Sequence, residues 1–181
     1  MVADVAAWLT RRLQRRLTVK NFLQKLGLVM AILACACGVS SAQQFPPIDV
    51  ADDFVAIGKL SATRKAPIML VFTRPECPFC ARAKKEHLEP MRVSQSYGGK
   101  VIMREIVAAD TKTVLRDFDG SQTTHGDFAR KYDIHSVPTV LVVDAQGKPL
   151  ADPIIGLSSN DFYNLYLEQA IDAGRLAIRQ R

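Results

Sequence analysis

One short stretch constrains this chain more than any other: an apolar run closing on Cys77-Pro78-Phe79-Cys80. Pro67 to Thr73 reads Pro-Ile-Met-Leu-Val-Phe-Thr, of strand length and apolar on both faces, as expected for a central strand. Residues from Cys77 to about Leu88 are helix-forming in composition, so the motif falls where strand gives way to helix. With Cys77 as N-cap, Pro78 takes the first helical position, where its missing N–H costs nothing. Backbone N–H groups and the helix dipole then favour a thiolate on Cys77, the form that attacks disulfides. Cys80 lies three residues on, on the same helix face, and can close a disulfide with Cys77. Two plainer uses of the pair stay open. Zinc needs four ligands, and His87, His125 and His135 show no spacing that completes a site. A purely structural disulfide across three residues would constrain little chain entropy.

The other two cysteines, Cys35 and Cys37, lie in a segment that reads as an address. Leu26 to Val39 is an uncharged run of 14 residues, preceded by basic residues and followed by Ser40-Ser41-Ala42. That is the order of a secretory signal, and the run is short for the roughly 20 residues of a membrane span. Cleavage after Ala42 would leave Gln43 first and the periplasm as destination. An uncleaved inner-membrane anchor is the alternative, and a start downstream, as at Val19, would explain the long basic region. Six basic residues against Asp4 give this segment most of the net charge of +6, leaving residues 43–181 at +1. A nucleic-acid-binding domain should show a basic face on its folded body, and residues 43–181 show none, which weighs against that function.

After an extended entry segment at 43–50, elements follow in the order α-β-α-β-α-β-β-α. Asp52 to Thr63 has helical spacing through Phe54, Ile57 and Leu60. Pro90 is expected to kink or end the dithiol helix. Lys100 to Val107 alternates, with Val101, Met103, Glu105 and Val107 on one side. Ala108 to Thr123 has no period, and Asp117-Phe118-Asp119-Gly120 suggests a turn. Thr124, with Asp127 three residues on, should cap a short helix. Pro138 to Asp144 is a buried strand, turned by Ala145–Lys148 into another that ends near Gly156. A capping box at Ser158–Asp161 opens the last helix, expected to bury Phe162, Leu165, Tyr166, Ala170 and Ile171 and to end at Gly174 as C-cap. The fold class is α/β: a mixed central sheet of about four strands flanked by helices, over residues 51–175, with 176–181 as a tail.

Ser136-Val137-Pro138-Thr139 is the second signal. A proline opening a buried strand is out of place unless the Val137–Pro138 bond is cis and its turn faces something. A strand ending in Cys-Pro-Phe-Cys, Val-Pro-Thr at the next buried strand, then Asp-Ala-Gln-Gly-Lys and Gly156, resembles the thioredoxin family from about Ala51 to Ala173. The Asp117–Gly120 loop and Phe128–Tyr132 are similar to exported bacterial thioredoxin-like proteins of sulfur oxidation and cytochrome maturation. The resemblance implies a thioredoxin fold and catalytic Cys77 and Cys80. It implies substrate contact through Val137 and Pro138, and no cofactor. The partners implied are exported proteins with thiols or disulfides and a membrane electron donor or acceptor. Two departures stand out. Thioredoxins carry a buried acid six residues before the first cysteine, where this chain has Val71, and the usual Trp-Cys-Gly-Pro-Cys is absent. Proton handling is thereby left to Glu76, Lys84 or water.

Phe79 reads as a partly exposed aromatic that touches partners, and Phe72 as core. Arg74 and Glu76 flank the dithiol and read as solvated before they read as tuning groups. His135 is either near the sulfurs or a surface histidine. The function expected is a periplasmic thiol–disulfide oxidoreductase working in the reductive direction. A redox-controlled, non-enzymatic binding module and a glutaredoxin-like activity are the alternatives. Against the last, no Gly-Gly pair follows the proline strand.

Overall fold

A computed structural model describes residues 45–157 and 160–180. The address segment at 1–42 falls outside that description, as does Ser158, the first residue of the capping box expected at Ser158–Asp161. Contacts divide the chain into Met1–Gln43 and Gln44–Arg181, and the second unit is the one described here.

Helix α1, Phe54–Arg64, starts where Asp53 accepts hydrogen bonds from the N–H groups of Val55 and Ala56 at 2.8 and 3.0 Å. It ends at Lys65, whose φ of 50° is left-handed. Strand β1, Ile68–Thr73, is buried at every position. It pairs in parallel with β2, Ile102–Val107, and antiparallel with β5, Thr139–Val143. The mixed sheet runs β2-β1-β5-β6, with β6 formed by Ile154–Ile155. Pro153 has no N–H to donate, which limits that last strand to two residues. On the other edge, Ala51 donates to the Glu105 carbonyl and Glu105 to the Asp49 carbonyl, both at 2.9 Å. The entry segment thus covers β2.

Alternation along β1 divides the core. Ile68, Leu70 and Phe72 face α1 and α4 (His125–Lys131), where Phe54 stacks between Phe118 and Phe128 with centroids 4.6 Å away. Met69 and Val71 face Ala83, Leu88, Tyr163, Leu167 and Ile171. Each large side chain buried this way contributes about 1.5–3 kcal/mol.

The dithiol helix continues beyond Pro90. It runs as α2, Pro78–Arg82, then a π segment, Ala83–Leu88, then α3, Glu89–Val93. In the wider turn the Glu89 N–H bonds to the Lys84 carbonyl. An α-helical proline would collide with the carbonyl four residues back, and the π turn makes room for it.

Three features differ from the sequence-based expectation. The periodless stretch contains a hairpin, β3 (Val114–Arg116) with β4 (Gln122–Thr124), turned by Asp117–Gly120 with Gly120 at φ 87°. As expected, Thr124 caps α4, accepting from the Asp127 N–H at 3.1 Å. The last helix, α5, spans Asn160–Arg179 and takes in residues 176–179 of the expected tail. Gly174 lies inside it. The buried stripe is Tyr163, Leu167, Ala170 and Ile171, while Phe162, Leu165 and Tyr166 are exposed. The helix packs closely at Gly174: a Cβ there would lie 2.8 Å from Val142 Cγ1 and 3.2 Å from Pro67 Cβ. Gly174→Val should therefore lower stability by about 1–3 kcal/mol through overpacking. Valine's better helix propensity acts in the opposite direction. Urea unfolding measures the difference, and an unchanged midpoint would mean α5 does not depend on this approach.

Candidate active site

Strand β1 delivers the chain to a turn, Arg74–Glu76, in which the Cys77 N–H donates to the Pro75 carbonyl at 2.7 Å. Cys77 is the N-cap of α2, in extended conformation, with Pro78 in the first turn. Its Sγ accepts from the Cys80 N–H at 3.2 Å. The two cysteines are joined as a disulfide. Cys77 is half-buried, whereas Cys80 is 1% exposed. One sulfur thus faces the outside and the other faces the protein.

The antiparallel register Phe72↔Thr139 brings the start of β5 beside the end of β1. The Val137–Pro138 peptide bond is cis. The Val137 carbonyl oxygen lies 3.9 Å from Cys77 Sγ. Its loop is held on both sides: Thr139 Oγ1 donates to the Ser136 carbonyl at 2.8 Å, and the Gly156 N–H donates to the Pro138 carbonyl at 2.7 Å. A cleft of about 500 Å³ opens over Cys77, lined by Arg74, Pro75, Glu76, Ala109 and Val137. Phe79 stands beside it, 58% exposed. A larger, mainly apolar cavity of about 660 Å³ lies by Tyr132, Ile134, Leu141 and Pro149, but neither cysteine lines it.

The structure brings Cys77, Cys80 and Val137 together, with Arg74 and Glu76 exposed on the rim of the cleft. It leaves His135 on the surface, paired with Asp133 at 2.8 Å and outside the cleft lining. No group of three or more His, Cys, Asp or Glu residues is placed to hold a metal among the described residues.

Two buried groups near the site were not singled out from the sequence. Glu105 is 7% exposed and takes hydrogen bonds from Thr73 Oγ1 at 2.6 Å and Lys84 Nζ at 2.7 Å. Its signal was visible, a lone carboxylate in the Val101-Met103-Val107 stripe. His125 is buried at the start of α4, and its Nδ1 accepts from the Val107 N–H at 3.3 Å. Val107 leads into the loop that carries Ala109, tied by Ala108 N–H to the Thr73 carbonyl and by Gly126 N–H to the Asp110 carbonyl. Burial lowers the His125 pKa from 6.5, against the opposing pull of Asp110. Asp110 itself is held down to about 2 by hydrogen bonds from Thr113 and Lys112.

The consequence for stability has a definite sign. The unfolded chain protonates His125 near pH 6.5, while the folded chain does so only lower. Stability from this group is therefore intact above about pH 6.5 and is lost as pH falls toward the folded value. Protonation would also set an N–H against the Val107 N–H. The urea midpoint should drop as pH falls below about 6.5, and His125→Gln should flatten that slope. An unaltered slope would assign it to other groups.

A family model described as a thioredoxin-like domain matches residues 55–171. Similar solved structures include one titled DsbH oxidoreductase, at 18% identity over 77% of this chain and 97% of that one, TM-score 0.49. Oxidised mitochondrial thioredoxin 3 from Saccharomyces cerevisiae matches at 18% identity, over 69% of this chain and 93% of that one, TM-score 0.45. The reduced periplasmic thioredoxin SoxS from Paracoccus pantotrophus matches at 16% identity, over 59% and 97%, TM-score 0.40. No curated protein matches.

Proposed function

Since this chain belongs to the thioredoxin-like family, we propose that it is an exported thiol–disulfide oxidoreductase working through Cys77 and Cys80. Its mixed four-stranded sheet flanked by helices is that family's fold. The observation that carries the reading is the unequal disulfide: a half-buried Cys77 at a helix start, open to a cleft, backed by a buried Cys80.

In the reductive direction the cycle begins with the dithiol. The Cys80 N–H and the helix start favour the thiolate on Cys77. Cys77 attacks a disulfide of the partner protein, one partner thiolate leaves, and a mixed disulfide forms. The partner chain lies in the cleft against Val137, with Phe79 as an exposed apolar contact. Cys80 then attacks Cys77, the mixed disulfide breaks, and the partner leaves reduced. The Cys77–Cys80 disulfide that results needs a reductant, for which a membrane dithiol protein is the donor we propose. The mature chain would begin at Gln43 in the periplasm. N-terminal sequencing of periplasmic protein tests that start, and an intact N-terminus in the membrane fraction would support an anchor instead.

Cysteine variants separate the roles. Cys80→Ser should accumulate a mixed disulfide with the natural partner, because no thiol remains to resolve it. Cys77→Ser should abolish both turnover and accumulation. Non-reducing electrophoresis reads the adducts, and insulin-disulfide reduction reads turnover. Covalent complexes in Cys77→Ser but not in Cys80→Ser would reverse the assignment. A wild-type protein that reduces nothing and traps nothing would favour a binding module.

A further inference from the structure

The sheet has two edges, and they are finished differently. At β2 the entry segment covers the edge, whereas among the described residues no strand pairs with the outer side of β6. Pairing with β5 decides which backbone groups of β6 point outward. The Gly156 N–H donates to the Pro138 carbonyl at 2.7 Å, and the register pairs Val140 with Ile154 and Thr139 with Ile155. Hydrogen-bonded and non-hydrogen-bonded pairs alternate along an antiparallel ladder. Pro138–Gly156 and Val140–Ile154 are therefore of the first kind, and Thr139–Ile155 is of the second. The N–H and C=O of Ile155 thus point away from the sheet, and the residue is 59% exposed.

An apolar cleft lies on each side of this strand. Toward α4 it is the cavity of about 660 Å³ by Tyr132, Leu141 and Pro149, which Ile155 also lines. Toward α5 a second cleft, of about 550 Å³, runs between Ile154 and Tyr166 past Ala170 and Ala173. Phe162, one turn before Tyr166, and Leu165 beside it are exposed on the same helix. Together with Ile155 they make one apolar edge, of the kind that marks an interaction site. The rim of the first cleft carries Lys148 and Asp152, one charge of each sign, and neither has an ion pair among the described residues.

We propose that β6 and α5 form a surface on which a second copy of this chain docks. A lone extended peptide could bond to Ile155, but it would leave Phe162, Leu165 and Tyr166 bare, because they belong to the layer above the sheet. The occupant needs a strand edge with a helix packed over it, and this chain has both. Place a twofold axis through Ile155, perpendicular to the sheet. Each Ile155 N–H then donates to the Ile155 carbonyl of the other copy, the exchange made by a hydrogen-bonded antiparallel pair. The axis keeps both α5 helices on one face, where their exposed stripes meet. The rim charges are equal and opposite, and the +1 of residues 43–181 offers little long-range repulsion. The shortness of β6 and the missing N–H of Pro153 limit the pairing to this one place, so the contact closes as a dimer. The joined sheet runs β2-β1-β5-β6-β6-β5-β1-β2. Its two β1 strands point in opposite directions, so the Cys77 clefts open at opposite ends and both stay accessible.

Sedimentation of the full chain reads the association directly. At on the order of 100 µM, well above the micromolar dissociation constants of weak interfaces, the mass should be twice that of one chain. Ile155→Asp and Tyr166→Glu both alter exposed positions, and each should halve the mass while leaving the urea midpoint close to wild type. A covalent readout tests the register. Residues opposed in a hydrogen-bonded pair have Cα atoms about 5.5 Å apart, within reach of a disulfide. In a chain whose four cysteines are replaced by serine, Ile155→Cys should cross-link to a dimer under mild oxidation. Val114→Cys, exposed on β3 away from the proposed axis, should stay monomeric. A monomeric wild-type chain, association that neither charged variant weakens, or cross-linking no faster at Ile155 than at Val114 would each overturn the proposal.

Discussion

The antiparallel pairing of β1 with β5 is the constraint on which the site depends. Cys77 and Val137 are 60 residues apart, and their contact exists because Phe72 is registered with Thr139. A slip of one residue would turn every side chain of β5 to the opposite face and move Val137 off the sulfur. The register is fixed by burial on both sides, since Val140 and Val142 belong to one core and Leu141 and Val143 to the other. Packing far from the chemistry therefore sets the geometry at the cleft. Gly174 takes part in this, because the close approach of α5 to Val142 presses β5 from below.

How much of this was legible in the sequence depended on how local the encoding was. Cys77, Pro78 and Cys80 announce a helix start within four residues, and the fold class followed from the order of apolar runs. Pro138 stood out because proline is alien to a buried strand. The β3–β4 hairpin was not legible: strands of three residues are too short to show alternation, and only their turn carried a signature. The buried face of α5 was misjudged for a different reason. Two apolar stripes overlap on that helix, and Phe162, Leu165 and Tyr166 are as bulky as Tyr163 and Leu167 of the stripe that packs. Gly174 decides between them, yet a glycine near a helix end has the signature of a cap. Pro90 likewise read as a kink or a stop, because a local rule does not foresee a π turn.

Glu105 shows a middle case. Its place on an apolar stripe could be read from alternation, but its two partners could not. Thr73 lies 32 residues away and Lys84 21, on different elements. The sequence can flag a charge that is out of place; only the tertiary structure shows whether it is satisfied.

The two faces of the sheet are built from different materials, and the difference follows function. The face toward α1 and α4 is an aromatic stack of Phe54, Phe72, Phe118, Phe128 and Tyr132, whose rings lock one another in place. Its Tyr132 hydroxyl is anchored on the Gly147 carbonyl at 2.7 Å. The face toward the dithiol helix sets Met69, Met91 and Met103 among aliphatic side chains such as Val71, Leu88 and Leu167, and includes the buried polar groups Glu105 and His87. Methionine adapts its shape, and a polar network within such a core acts strongly because the surrounding dielectric is low. Under the function proposed above, the first turn of the dithiol helix alternates between a disulfide and a dithiol over that floor. Methionines, with three rotatable bonds each, are the side chains there best able to repack beneath the disulfide.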